Sequence, residues 1–182
     1  IPPRGICGSG IIDLLACLLE LGIVDGTGKM KTPEECSEVS PSLRKMMELV
    51  DGQPALRLGD NVLFTQADIR EIQLSKGAIR ASIDTLLDEA GLSAEDMERI
   101  IIAGGFGFYL NPRNLERIGL IPPHTSHKVD FAGNTSRSGC VWLLNDITYR
   151  RYLESRVAGI THISTAELPS FMERYISSME FS

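Results

Sequence analysis

Arg99-Ile-Ile-Ile-Ala-Gly-Gly-Phe-Gly107 is the stretch that decides the fold. Three isoleucines and an alanine, with no polar residue between them, predict a strand over 99–103 that is covered on both faces, as in a parallel sheet. Glycines follow at once, at 104, 105 and 107. Ligands of open α/β sheets bind at the carboxyl ends of strands, and glycine lets them approach the bare backbone. Ala103 to Gly107 is therefore a candidate ligand loop, in which Phe106 could stack on a flat base. A glycine turn packed under a helix is the plainer alternative.

The flanking segments extend this reading. Upstream, Thr65-Gln-Ala-Asp68 resembles a capping box with Asp in place of Glu. It opens a long helix over 66–90, which Gly91 ends. Ser93 to Asp96 caps a further turn. Still earlier, 55–58 and 61–64 read as two strands around a Gly59-Asp60 turn. Pro41 starts a short helix through about Val50. Downstream, Pro112 starts a helix to about Ile118, and 128–132 is a second strand. Gly133-Asn134-Thr135 leads into a helix to Asn145 that could run on through Arg151. A short strand at 160–163 and a helix over 168–179 close the chain. Alternating helices and strands after Thr65 predict an α/β layer fold with a mainly parallel sheet flanked by helices.

A second glycine loop, Gly5-Ile-Cys-Gly-Ser-Gly10, runs into an apolar helix over about 10–22, with Ser9 or Gly10 as its cap. A glycine turn that opens a helix aims free N–H groups at an anion. The hexapeptide is not a P-loop, because no Lys-Ser or Lys-Thr follows Gly10. No strand precedes it, so it is not a dinucleotide fingerprint. A tight turn into a helix explains it as well as a phosphate site at Gly8, Ser9 and Gly10. Asp13, one turn inside, is either a solvated position or an acceptor for ribose hydroxyls or a cation.

The long helix places Ile69, Ile72, Ile79, Ile83 and Leu86 on one apolar stripe. Lys76 falls on that stripe, with Gln73 beside it. An unpaired buried ammonium is costly, so Lys76 either snorkels to water or meets a ligand phosphate or carboxylate. The small residues from Gly133 to Cys140 suit either plain helix packing or a close crossing at a hinge.

Composition narrows the function classes. The 182 residues carry a net charge of −6 and no basic block, which argues against nucleic acid. No apolar run is long enough to span a membrane. Cys7, Cys17, Cys36 and Cys140 are widely spaced, so neither a disulfide scaffold nor a cluster within the chain is expected, and reduced thiols point to the cytoplasm. His124 and His127 lack a third ligand nearby, so no metal site is expected. Ser9 lacks His and Asp partners for a triad. The chain reads as one domain, 1–182, and, starting at Ile1, as a C-terminal fragment of a longer multidomain protein.

Taken together, Gly5-Ile-Cys-Gly-Ser-Gly-Ile-Ile-Asp13, Thr65-Gln-Ala-Asp68, Gln73-Leu-Ser-Lys76-Gly-Ala-Ile79, Ala103-Gly-Gly-Phe-Gly107, Ile118-Gly-Leu-Ile-Pro122, Gly133-Asn134 and the closing Glu167-Leu, Phe171 and Phe181 resemble the C-terminal part of the reductive activators of corrinoid proteins. The resemblance covers nearly the whole chain. It implies the second lobe of an actin-, hexokinase- and heat-shock-chaperone-like (ribonuclease H-like) ATPase fold. It implies ATP with Mg2+ as cofactor and the ATP-driven reduction of cob(II)amide to cob(I)amide on a corrinoid methyl-transfer protein. Gly104, Gly105, Phe106 and Gly107 would form the adenosine loop. Gly8, Ser9, Gly10 and Asp13 would lie near the phosphates and ribose, Gln73 and Lys76 on a helix lining the nucleotide, and Gly133 to Cys140 at the hinge with the other lobe. No Asp-x-Gly-Thr phosphate motif and no cluster cysteines are present, so the first lobe and an iron–sulfur cluster are expected outside this chain. The implied partners are a corrinoid protein, the parent's N-terminal lobe and ferredoxin-like domain, and a second copy of the chain. A small-molecule kinase of the same superfamily and a non-catalytic module docking on a corrinoid protein are the competing readings.

Overall fold

The computed structural model describes residues 3–105 and 109–181. The first helix, α1 (Gly8–Glu20), starts two residues earlier than expected. Its cap is Cys7 rather than Ser9 or Gly10: the Cys7 thiol accepts from the Gly10 N–H at 3.4 Å. Gly22 closes the helix with φ +63°, a left-handed conformation that suits glycine. The Pro41 helix is shorter than expected. α2 (Pro41–Arg44) ends after one turn, because Met47–Val50 instead forms β1 and buries Met47. Its partner β2 (Gln53–Gly59) lies antiparallel to both β1 and β3 (Val62–Thr65). The Thr65–Asp68 capping box is present and reciprocal, and it opens α3 (Gln66–Glu89).

Two strands follow α3. β4 (Ile100–Ala103) pairs in parallel with β5 (Val129–Gly133). The short α4 (Pro112–Arg117) lies between them in the chain. The sheet corrects two expectations. Among the described residues only this pair is parallel, while the larger three-stranded sheet is antiparallel. Ile101 is 59% exposed, so β4 is not covered on both faces: a two-stranded sheet has too few neighbours to enclose it.

The helix after Gly133, α5 (Thr135–Asn145), ends at Asn145 as expected, and the possible continuation through Arg151 is a separate helix, α6 (Ile147–Val157). The break between them is Asp146, which is extended (φ −139°). Its carboxylate accepts from the Thr148 and Tyr149 N–H groups and so caps α6. The expected strand at 160–163 is irregular, having no ladder partner among the described residues. α7 (Pro169–Ser177) closes the chain.

One core holds the body together. It joins Leu15 and Leu18 of α1 to Ile23, Met30, Leu56, Phe64, Ile69, Ile118 and Phe181. The buried face of α3 is rotated away from the expected isoleucine stripe. Ile79 and Leu86 are largely exposed, whereas Ile69, Gln73, Lys76, Gly77, Ala81 and Thr85 are buried. The small residues explain the rotation, because they admit α7. A Cβ on Gly77 would lie 3.3 Å from Met179 Cγ and 3.4 Å from the Tyr175 carbonyl oxygen. The ion pair between Arg174 and Asp88 ties α7 to α3 as well.

Candidate functional site

Three features converge on chemistry, and the first is the carboxyl end of the parallel pair. The Gly104 N–H donates to the Gly133 carbonyl at 2.7 Å, where the ladder register slips. Both residues have positive φ, +112° and +64°, which a side chain would strain. A Cβ on Gly104 or Gly105 would meet no atom of the described residues within 4 Å. Phe106 and Gly107, also expected in this loop, lie outside the described residues.

The second feature is the start of α1. The first turn of an α-helix leaves N–H groups without intrahelical partners. Here that turn contains Gly8, which is exposed, and Ser9 and Gly10, which are half-buried. The Ser9 hydroxyl lies 3.4 Å from the Cys7 thiol. That contact, helped by the Gly10 N–H, holds the exposed thiol below its ordinary range. Asp13, on the same helix, accepts from the Asn114 side-chain amide of α4 at 2.6 Å.

The third feature is a cleft of about 350 Å³ between α1 and α3. Ile11, Ile12, Ile72, Ile79, Ile118 and Leu120 make it mainly apolar, and Asp68, Glu71, Ser75 and Lys76 add polar groups. A volume of this size is in the range of small-molecule sites.

Lys76 neither snorkels nor points at empty space. It is 2% exposed, and its ammonium donates to the Glu180 carbonyl and lies 5.0 Å from the centre of the Phe181 ring. Burial pushes it down to about 8; Arg80 adds to the shift and Glu180 opposes it. Gln73 is also engaged. Its amide donates to the Thr27 and Met179 carbonyls, both at 3.0 Å, and its oxygen accepts from Arg70. The Phe181 N–H donates to Gly26 at 2.8 Å. Residues 179–181 thus form a strap held by α3 and the Asp25–Gly28 turn. Gln66 and Arg70 clamp that turn from the same helix, through Gly28, Met30 and Thr27.

The structure brings Lys76 and the α1 helix to one cleft. It places Gln73 on the strap, and Gly104 and Gly105 at the end of the parallel pair. Three contributors were missed in the sequence: Cys7 as a cap, Asn114 as the partner of Asp13, and Gly133 as the partner of Gly104. Only Gly133 carried a signal, a glycine directly after a strand. Among the described residues, no three His, Cys, Asp or Glu side chains come together as a metal site. Cys36 is buried, and Cys7, Cys17 and Cys140 are exposed free thiols. No three of these thiols come together among the described residues. No helix among the described residues is long and apolar enough to cross a membrane.

Comparison with known proteins gives a consistent picture. Residues 1–182 match the family described as the C-terminal domain of RACo, the ASKHA domain. The chain is 30% identical over 195 aligned residues to the corrinoid activation enzyme RamQ of Eubacterium limosum, covering 98% of this chain and 31% of that protein. It is 31% identical over 132 residues to the [Co(II) methylated amine-specific corrinoid protein] reductase of Methanosarcina barkeri, covering 72% of this chain and 20% of the reductase. Among solved structures, a reductive activator for corrinoid, iron–sulfur protein superposes with a TM-score of 0.85 at 32% identity, over 100% of this chain and 29% of that one. The chain thus spans less than a third of the length of these relatives.

Proposed function

The chain belongs to the family of the C-terminal ASKHA domain of RACo, and from that premise we propose that it is the nucleotide-binding lobe of an ATP-dependent reductive activator of a corrinoid protein. The observation that carries this reading is the likeness over the whole chain, at a TM-score of 0.85 and 32% identity, to a reductive activator. The named relatives are a corrinoid activation enzyme and a corrinoid protein reductase, so a corrinoid protein of a methyltransferase system is the proposed partner. In this reading the protein is cytoplasmic, and the remaining lobe and an iron–sulfur cluster belong to other parts of the parent.

The residues present fit a nucleotide in two places. The backbone of Gly104 and Gly105, clear of the other described residues, can take the adenosine end. The first turn of α1, Gly8 to Gly10, can take the phosphates with their Mg2+. Gln73 and Lys76 act indirectly: each donates to a carbonyl of the strap, and Lys76 also lines the cleft. When bound, ATP supplies a cleavable γ-phosphoryl group that distinguishes two lobe arrangements. The equilibrium between them moves only as far as ATP's affinities for the two differ, about 1.4 kcal/mol for each tenfold. The parent's reaction adds one electron to Co(II) to give Co(I). In this reading that electron comes from the iron–sulfur cluster carried by another part of the parent.

Gly105→Asp tests the proposal in the full-length polypeptide that carries this domain. A Cβ there meets no atom of the described residues within 4 Å, and the carboxylate puts a negative charge where the adenosine end would sit. ATP-dependent conversion of Co(II) to Co(I), followed in the visible spectrum of the corrinoid, should fall by at least about tenfold, with the thermal midpoint unchanged. Unchanged ATP affinity and unchanged reactivation would sink the reading and favour a docking module.

A further inference from the structure

α7 and the strap behind it cover one face of α3, yet little apolar burial holds them there. No residue of α7 is buried. Of the central cluster, Phe181 alone comes from residues 169–181. Four polar links cross to the body: Arg174 to Asp88, Gln73 to the Met179 carbonyl, Lys76 to the Glu180 carbonyl and the Phe181 N–H to Gly26. Segments with few buried apolar contacts open locally, short of global unfolding.

The same contact leaves three polar groups poorly served. Lys76 is 2% exposed and pairs with no carboxylate among the described residues; its ammonium has a carbonyl and an aromatic face. Of the charges that act on it, Arg80 on its own helix repels and Glu180 on the strap attracts, and burial outweighs both. Gly77, Ala81 and Thr85 follow at four-residue spacing, which makes one stripe of α3. That stripe faces α7, since a Cβ at Gly77 would stand 3.3 Å from Met179 Cγ. Thr85 is 1% exposed, and its hydroxyl has no partner among the described residues. The Arg174 Nε is buried without a partner as well. Buried polar groups in this state cost free energy that water would restore.

We propose that α7 and the strap, residues 169–181, form a lid under load: it opens from α3 as a unit, and the hydration regained by Lys76, Thr85 and Arg174 drives opening against the seating of Phe181. Opening bares Gln73, Lys76, Gly77, Ala81 and Thr85 on α3. The rest of the central cluster, with Leu15, Leu18, Phe64 and Ile69, stays closed because none of it belongs to the lid. Lys76 also lines the cleft between α1 and α3. An open lid therefore returns a cation to the edge of that cleft, which the closed lid keeps on the Glu180 carbonyl.

Hydrogen exchange of the full-length polypeptide at about pH 7 tests the lid, read by mass spectrometry on peptides from residues 169–181 and from α1. Wild-type lid amides should exchange as a group, at least about tenfold faster than those of α1. Lys76→Met replaces the ammonium with an apolar side chain of similar length, and should slow lid exchange by at least about tenfold. Thr85→Val removes the orphan hydroxyl at nearly constant shape, and should slow it by about fivefold. If Lys76 instead clasped the strap, Lys76→Met would speed exchange. Lid amides as slow as those of α1, or fraying one by one, overturn the proposal. So does unchanged or faster lid exchange in Lys76→Met, or slowing confined to α1. If Lys76→Met does not fold, Thr85→Val decides alone, and unchanged or faster exchange there overturns the lid.

Discussion

The body around α1, α3 and the antiparallel sheet contrasts with the arm formed by α5 and α6. Both are rich in large apolar side chains. In the body these close on one another, and Phe64, Leu15, Leu18 and Ile69 are almost wholly buried. In the arm no residue is buried, and Leu144 is 86% exposed. Trp142, Ile147, Tyr152 and Val157 are also more than half exposed. Leu143, Leu153 and Val157 line a groove of about 680 Å³ on the arm. The arm's inner order comes from local devices: the Asn134 and Asp146 caps, the Arg150–Glu154 pair and the edge-to-face contact of Trp142 with Tyr149. Apolar content alone therefore does not make a core; the helices must also be placed to close on each other.

The largest expected effect lies in the body. Phe64→Ala should cost about 3–5 kcal/mol in urea unfolding, since Phe64 sits in the central cluster. A much smaller loss would mean that the body collapses around the vacancy and is not the rigid half. Next comes the strap. Lys76 titrates at about 8 in the folded chain, against about 10.4 for an unfolded lysine. Between those values the unfolded chain binds more protons, so stability should rise with pH from about 8 to about 10, by roughly 3 kcal/mol for this group. The neutral amine can still donate to Glu180. Lys76→Met should flatten that part of the pH profile, as read by thermal midpoints of the two proteins. An identical rise in both would assign it to other groups.

Thr65→Ala tests a device local in sequence, the reciprocal cap on α3, and should cost about 1 kcal/mol. The smallest effect belongs to the arm, where Leu144→Ser should change unfolding stability by less than about 0.5 kcal/mol. Its amides should exchange with solvent faster than those of α3. If Leu144→Ser cost as much as Phe64→Ala, the arm would be packed in solution and the contrast would vanish.

The same division governs what could be read from the residues. The Thr65–Asp68 cap, the left-handed glycines at 22 and 91 and the start of α4 at Pro112 are legible because each is decided within a few positions. The α/β class and the family were legible because several separate motifs had to agree. Long-range geometry was not. The strap depends on contacts between Gln73 or Lys76 and residues more than 100 positions away. No local pattern announces them, and the α3 stripe was drawn on hydrophobicity when the small Gly77 and Ala81 set its orientation. β1 was hidden because only its pairing with β2 makes Met47–Val50 a strand. In the candidate site, the glycines stood out in the sequence. The hydrogen bond from Asn114 to Asp13 did not, since it joins residues that lie 101 positions apart.

The strap also fixes a point of departure. Phe181 is 7% exposed, and its N–H is bound to Gly26. Whatever polypeptide is joined beyond it, natural or engineered, leaves from one spot beside the Gly26 turn instead of swinging from the end of α7. A fluorophore or affinity handle joined directly after Phe181 would report from that anchored place. A handle that unseated Phe181 would strip Lys76 of its aromatic cover.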